Sequence, residues 1–312
     1  MAKRTRKPAG LASTAAAALL LAIGLGTATA TADEAEAKTM LKAMSDYLAA
    51  QTAISFGHDT NLEIVTGDYQ KFLLASSGTI DLSRPDKVRA TRHGGFANVE
   101  MVFDGKTLTM LGKDANLYAQ LDIPGTLDHL VDELRDKYNR PVPGADLLLS
   151  NVYDELMRDV TDVKDLGSGV IGGTEYDHLA FRAKEVDWQI WIAQGEHPYP
   201  CRYVITSKDV DQGPQYSVQI SGWKTGADVA ADDFAFKPPA DAKQIDLKEL
   251  VDIDDCRNIF RQRERNDHDQ RRARAPLVWF WAGRSRPEAA NRKNIQRTAI
   301  LTSAPMRPTV AL

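Results

Sequence analysis

DWQIWIAQGEHPYPCRYVITS, residues 187–207, is the stretch that decides the fold. Its first half alternates like a strand, so that Trp188, Ile190 and Ile192 share one face. The loop GEHPYP then holds a glycine and two prolines, which turn the chain and cannot continue a sheet ladder. The β-rich run CRYVIT follows, so the pattern predicts an antiparallel hairpin. Because its aromatic side chains need a large apolar surface, we expect a broad antiparallel sheet around this pair.

Helix and strand patterns follow one another in blocks rather than in alternation. A helical pattern over residues 33–51 precedes several strand-like segments, and two of these flank Asp104-Gly105, a strong hairpin signal. Thr126 is placed to cap a helix, and a second, broadly apolar helix is predicted over residues 145–160. Strand patterns then return. This order predicts an α+β fold, with helices on one face of a curved antiparallel sheet.

The N-terminal segment has the pattern of a secretory signal peptide. Four basic residues lie within residues 3–7, an uncharged run covers 11–26, and small-x-small cleavage patterns precede Asp33. A membrane span needs about 20 strongly apolar residues, so a cleaved signal over residues 1–32 is favoured over an anchor. We therefore predict an exported protein without a membrane span after cleavage.

The C-terminal segment differs from the middle of the chain in charge. Residues 257–312 contain 13 basic and 4 acidic side chains, a net charge of +9, whereas the rest of the chain carries −13. Hydrophobic periodicity stops at the same point. We predict one domain at residues 33–255 and a basic, disordered tail at 256–312. An arm for nucleic acid or anionic lipid is the less favoured interpretation, because aromatic residues do not recur along it, and we expect no nucleic-acid partner.

No catalytic or metal-binding motif is legible. GSGVIG, residues 167–172, matches the dinucleotide fingerprint, but a strand pattern follows where that fingerprint needs a helix, so we expect these glycines to turn a hairpin. The six histidines show no metal-ligand spacing, and we predict no cofactor, no metal and no catalytic residue. His178 is the one histidine considered as an acid or base, with a hydrogen-bonded structural role favoured. Cys201 is expected to be a buried free thiol.

Two hairpin segments resemble a known family. GTIDLSRPDKVR, residues 78–89, followed by VFDGKTLTM, residues 102–110, resembles the signature of the LolA/LolB-like periplasmic carriers of lipoproteins. Residues 38–250 more closely resemble a family of predicted periplasmic proteins, domain of unknown function 2092 (DUF2092). The matching segments are YLAAQTAISF, RPDKVRA, FDGKTLTM, DWQIWIA and PCRYVIT. The resemblance implies a periplasmic location and an incomplete, half-open β-barrel whose helices cover an apolar cavity. It also implies that Arg84 latches the helical lid.

We interpret the chain as a non-catalytic periplasmic protein that holds a lipid, an acyl chain or a lipoprotein between its sheet and its helices. The broad apolar helix and the aromatic hairpin motivate this hypothesis. The predicted cavity residues, which would instead fill a solid core if no cavity exists, are Leu148, Val152, Leu156, Trp188, Ile190 and Ile192.

Two other classes of function stay open. The same fold also suits a module that binds or senses an envelope protein without lipid, through an exposed sheet edge or the lid. An enzyme would use His178 with neighbouring carboxylates and would need a polar pocket around it. We expect a monomer in each case.

Overall fold

The computed structural model of the protein describes residues 30–246, apart from residues 67, 96, 139–141, 231 and 233. Almost all of the predicted signal peptide, the second cysteine Cys256 and the predicted tail at 256–312 lie outside these residues.

The described chain forms one sheet of twelve strands, three α-helices and two short 3-10 helices. The strands are β1 (Ala53–Val65), β2 (Lys71–Ser83), β3 (Lys87–Gly94), β4 (Ala97–Phe103), β5 (Thr107–Gly112), β6 (Leu117–Asp122), β7 (Val160–Ile171), β8 (Thr174–Ala183), β9 (Val186–Ala193), β10 (Pro200–Ser207), β11 (Gln215–Thr225) and β12 (Lys243–Gln244). The helices are α1 (Ala30–Ala50), α2 (Leu127–Asp136) and α3 (Val152–Met157), with 3-10 turns at Ala145–Leu148 and Gly226–Asp228.

The strand order is β12-β6-β5-β4-β3-β2-β1-β11-β10-β9-β8-β7. Neighbours are antiparallel except β12, which pairs in parallel with β6. β1 joins two wings, because it pairs with β2 on one side and with β11 on the other. Within residues 30–246 the edge strands β7 and β12 do not pair with each other, so the sheet stays open.

One face of this sheet, called the concave face below, carries the core. Phe103 and Leu108 on one wing and Leu179 and Ile190 on the other are all at most 1% exposed. Twelve flat strands would be about 50 Å wide, whereas α1 is only about 32 Å long. The few helices could not cover a flat sheet of that width, so the sheet must curve around them. The predicted α+β fold, a curved antiparallel sheet with helices on one face, is confirmed.

Local signals predicted several elements correctly. Thr126 caps α2 by accepting a hydrogen bond from the backbone N–H of His129 at 3.3 Å. The Asp104 carboxylate accepts the backbone N–H groups of Lys106 and Thr107 at 2.9 and 2.8 Å, which closes the β4–β5 hairpin. The aromatic stretch forms the β9–β10 hairpin, and Cys201 is a buried free thiol.

The single helix predicted over residues 145–160 is wrong. The 3-10 helix ends at Leu148, Leu149 takes an extended conformation with ψ 166°, and α3 begins at Val152. The break is stabilised from outside the segment, because the Asp128 carboxylate accepts both the backbone N–H and the hydroxyl of Ser150, at 2.8 and 2.9 Å. Sequence periodicity carries no sign of a contact made 22 residues away.

The predicted position of the glycine turn is also wrong in part. β7 continues through residues 167–169 with a bulge, and Gly167 there has φ 79°. The β7–β8 turn lies at Gly172-Gly173, both with positive φ. Gly169 is needed for a different reason: a Cβ there would lie 2.5 Å from the indole nitrogen of Trp191, which covers this strand.

Candidate ligand-binding site on the concave face

Five apolar residues stand in register across strands β2 to β6 on the concave face. They form a continuous line of directly paired positions, called the apolar row below: Ile80, Ala90, Met101, Met110 and Ala119. Four strand spacings make this row about 19 Å long. Since residues directly opposite one another in a sheet share a face, the row presents one uninterrupted apolar strip.

Four members of the apolar row are less covered than the core beside it, whereas Ala119 is only 1% exposed. Two residues further along β2 and β3 lie Leu82 and Val88, which are 1% and 4% exposed. Ile80, Met101 and Met110 pack against that core but remain partly exposed. Among the strands, helix α1 packs mainly on β7 and β9, which belong to the other wing. Methionine side chains are flexible and adapt to irregular apolar ligands.

The six predicted cavity residues lie in one region, within or against the main core. Five of them are at most 4% exposed: Val152, Leu156, Trp188, Ile190 and Ile192. Leu148 is partly buried against them. The Trp188 ring stacks on Phe181 with centroids 3.8 Å apart and meets Tyr203 edge-on at 5.8 Å. The sequence therefore identified a set that packs together, whereas the more exposed apolar row was missed.

Strand pattern alone could have pointed to the apolar row. Met101 precedes the Asp104-Gly105 turn and Met110 follows it, on two strands whose pairing that turn sets. Their alternation placed them on the apolar face of the hairpin. What the sequence lacked was any sign that these two methionines would stay partly exposed.

Arg84 connects the β2–β3 corner to the helical segment. Its guanidinium Nη2 donates to the backbone carbonyl of Leu149 at 3.2 Å, at the break before α3. Burial lowers the pKa of Arg84, while the charge of Asp128 acts in the opposite direction. The carbonyl of Pro85 accepts the first backbone N–H of α2, from Leu127, at 2.9 Å. The corner thus holds two helical elements at once.

His178 lies on the convex face, opposite the core. Its ring stacks on Trp191 with centroids 3.9 Å apart, and Nε2 lies 3.0 Å from the amide oxygen of Gln189. Burial lowers the pKa of His178, and the bond to Gln189 acts against that shift. Arg202 lies over the same indole, 5.7 Å from its centroid. The imidazole is therefore held by packing and by an uncharged amide.

The segment after β11 covers the convex face of the wing that β2 to β6 form. Phe234 is buried there, and Phe236 lies 5.1 Å from the ring of Tyr118. Both aromatics pack on the outer side of the sheet, which also carries Arg89 and Glu100. A pocket of about 510 Å³ opens at this junction, and its lining includes Arg89, Glu100, Lys113, Phe236 and Lys237.

Within the part of the chain that the structure describes, no group of three or more His, Cys, Asp or Glu side chains is placed to hold a metal ion.

None of the helices in residues 30–246 combines the length and the hydrophobicity needed to traverse a bilayer.

Comparison with known proteins gives a family and a set of distant structural relatives. The family model described as predicted periplasmic protein (DUF2092) matches residues 37–248, more than half of the chain. No curated protein matches the sequence.

Several solved structures are similar at low sequence identity. An uncharacterized conserved protein from Thermus thermophilus is 10% identical with a TM-score of 0.41, covering 68% of this chain and 99% of that one. The lipoprotein LppX of Mycobacterium tuberculosis is 16% identical with a TM-score of 0.41, over 63% of this chain and 100% of that one. A LolA superfamily protein from Nitrosomonas europaea is 11% identical with a TM-score of 0.30, over 61% and 93%.

Proposed function

Because the chain belongs to the DUF2092 family of predicted periplasmic proteins, we propose that it is a non-catalytic periplasmic protein that binds the acyl chain of a lipid or lipoprotein on its concave face. The apolar row is the observation that carries this proposal. It offers a strip about 19 Å long, and three of its side chains, those of Ile80, Met101 and Met110, pack on the core yet keep exposed surface.

Binding would cover this surface at little structural cost. Each methylene group that leaves water contributes about 0.8 kcal/mol before the costs of association. The strip runs across the strands, so an extended chain lying on it would contact five successive strands without unfolding any of them. We propose that Leu148 borders the ligand and that the five more deeply buried residues of the predicted cavity set form the wall behind it.

Two matched substitutions test the proposal. Ala90→Phe adds a ring to the middle of the apolar row, where Ala90 is only partly buried. Ala75→Phe adds the same ring on the convex face of β2, where Ala75 is exposed. We expect native mass spectrometry of periplasmic material to detect lipid on the parent and on Ala75→Phe, and to detect much less on Ala90→Phe. Absence of bound lipid on the parent, together with no uptake of added fluorescent fatty acid, would remove the proposal.

One observation favours a second candidate, a module that binds an envelope protein. Within the described residues, edge strand β7 pairs only with β8, and it exposes Leu166 by 46% and Val170 by 70%. An unpaired edge with apolar side chains suits the addition of a strand from a partner. A pull-down from envelope extract stripped of lipid would recover a partner with the parent and lose it with Val170→Lys. Loss of the partner on lipid removal would favour the lipid-binding function instead.

A further inference from the structure

Three of the buried polar residues in the described chain are neighbours on the concave face. His58, Thr60 and Ser76 are 9%, 7% and 6% exposed. Phe56, His58 and Thr60 occupy every second position of β1, so all three lie on the concave face. His58 and Thr60 are paired with Ile220 and Val218 of β11, which belong to the core. Polar side chains at these positions interrupt an otherwise apolar face, and burying them needs a reason.

A fourth residue brings a positive charge to this group. Arg92 lies on β3, two residues after Ala90 of the apolar row, so its side chain is on the concave face. Its Nε donates to the Ser76 hydroxyl at 3.2 Å, and that hydroxyl lies 2.6 Å from the hydroxyl of Thr60. The charge of Arg92 acts on His58 and on Tyr216, the residue opposite Leu62 of β1.

His58 keeps one ring nitrogen without a partner. Nε2 lies 3.2 Å from the backbone oxygen of Thr91, and a carbonyl only accepts, so Nε2 carries the proton and donates. In a neutral imidazole Nδ1 is then an acceptor, and within residues 30–246 this buried atom has no hydrogen-bond partner. Burial and the charge of Arg92 both lower the pKa of His58, which favours this neutral form. A buried acceptor left unpaired is destabilising.

The position of Gly78 explains how the imidazole fits. Gly78 stands opposite His58 in the β1–β2 ladder, and a Cβ on it would lie 2.8 Å from Nε2 and 1.8 Å from the Thr91 oxygen. The imidazole therefore reaches across the missing side chain to the next strand. This arrangement accounts for Nε2 but gives Nδ1 no partner.

The polar group borders the apolar row directly. Gly78 lies two residues before Ile80 on β2, and Arg92 two residues after Ala90 on β3, so the two sets are about 7 Å apart along the strands. Along the strands, the concave face thus shows three zones in order. The buried core comes first, the partly exposed apolar row second, and the buried polar group with its cation third. An amphiphile with a polar head presents the same order of surfaces.

We propose that His58, Thr60, Ser76 and Arg92 form a site for the acidic headgroup of an amphiphile whose chain lies on the apolar row. The head of a carboxylic acid or a phosphate monoester meets both needs of the site. Its anionic oxygens accept from the Arg92 guanidinium, a charge-assisted bond that a neutral head cannot make. The proton that the acid releases binds Nδ1 of His58, which then donates to the same anion. This inference rests on the proposed function and narrows it to acidic ligands.

The test uses isothermal titration calorimetry with three probes, which carry the acidic head and the chain together or only one of the two. Palmitic acid carries the acidic head and the chain, hexadecanol carries the chain alone, and inorganic phosphate carries the anion alone. The parent should bind palmitic acid at least about tenfold more tightly than hexadecanol. Arg92→Gln should abolish that preference while leaving hexadecanol binding within about twofold. The control Arg182→Gln removes the same charge from an exposed position on β8 and should keep the preference.

A second measurement does not depend on any variant. In nitrogen-15 NMR spectra of the parent protein, the resonance of His58 Nδ1 should shift when palmitic acid is added. It should stay in place when hexadecanol is added. Equal affinity for both amphiphiles, or an unmoved His58 signal, would overturn the headgroup site and leave acyl-chain binding standing. Failure of both amphiphiles to bind would instead overturn the proposed function. Phosphate that binds as tightly as palmitic acid would mean an anion site without a lipid, which also contradicts the inference.

Discussion

Arg89 of β3 holds Asp232, which lies 143 residues later in the chain, through two parallel hydrogen bonds. Nε donates to one carboxylate oxygen at 2.6 Å and Nη2 to the other at 3.2 Å. The same guanidinium donates to Glu100 at 2.6 Å and to the carbonyl of Ala235 at 3.2 Å. The hydrogen bond to Asp232 is the main reason that the pKa of Arg89 is raised. One side chain thus fastens the segment after β11 to the convex face.

Arg89→Ala should release this segment. Arg89 and Asp232 are 22% and 21% exposed, so their hydrogen bonds are only partly screened by water, and we expect a loss of about 1–3 kcal/mol in unfolding free energy. Hydrogen exchange should accelerate over residues 234–246. Arg182→Ala is the control, because Arg182 and Asp187 form a similar two-bond pair that is mostly exposed and should contribute little. Equal effects of the two substitutions on thermal unfolding would contradict the assignment.

Glu100 should make this junction sensitive to acid. Burial alone would raise its pKa, but the Lys113 ammonium and the Arg89 guanidinium outweigh burial, and the pKa is lowered from 4.5. A carboxylate with a lower pKa in the folded than in the unfolded protein contributes stability above its unfolded value, and that contribution is lost as the pH falls through the folded value. Urea unfolding from about pH 6 to about pH 3 should therefore show a weaker acid dependence in Glu100→Gln. An unchanged acid dependence would show that the ion pairs contribute nothing.

Gly78→Ala should lower the unfolding free energy far more than the same substitution on the neighbouring strand. A Cβ at Gly78 would lie 1.8 Å from the backbone oxygen of Thr91, which cannot move without disturbing β3. We expect a loss of at least about 2 kcal/mol. Gly57→Ala is the matched control, because its Cβ would lie 3.1 Å from the Ser221 hydroxyl, a side chain that can rotate away. Chemical denaturation of the two variants gives the comparison, and similar midpoints would be inconsistent with the close approach over Gly78.

Two tryptophans on β9 offer a test of which sheet face is the core. Trp188 is 3% exposed and stacks on Phe181, whereas Trp191 lies on the convex face against His178. Trp188→Ala should cost about 3–5 kcal/mol, as expected for an aromatic removed from a packed interior. Trp191→Ala should cost less than half of that. The informative measurement is the loss in unfolding free energy that each substitution causes. Equal losses for the two substitutions would argue against a one-sided core.

The sequence predicted most accurately those features that depend on near neighbours. The faces of β9 follow from alternation, because Trp188, Ile190 and Ile192 necessarily point the same way in any strand. The cap at Thr126 likewise depends on one backbone N–H three residues away. These elements needed no knowledge of the rest of the fold.

Features that depend on distant pairing could not be predicted in the same way. β1 pairs with β11 across more than 150 residues of sequence, and that pairing places His58 opposite Ile220. The polar group needs three strands, because His58, Ser76 and Arg92 come from β1, β2 and β3. Each of these residues looked like an ordinary polar position in its own segment. The break at Leu149 has the same cause, a contact with Asp128 from another helix.

Arg84→Ala should open the helical segment selectively, if the latch implied by the family resemblance exists in this protein. Arg84 donates to the Leu149 carbonyl at 3.2 Å, and its Nε is buried without a hydrogen-bond partner in the described chain, so the guanidinium remains there at some cost. Its removal should accelerate hydrogen exchange over residues 145–157 and raise the rate of fatty-acid uptake, with a loss of about 1–3 kcal/mol in stability. Ser150→Ala is the control: it removes one of the two hydrogen bonds to Asp128 but leaves the Arg84 contact. If Arg84→Ala accelerated exchange uniformly over the sheet as well, Arg84 would stabilise the whole fold. Its hydrogen bond to the Leu149 carbonyl would then not be a latch specific to the helical segment.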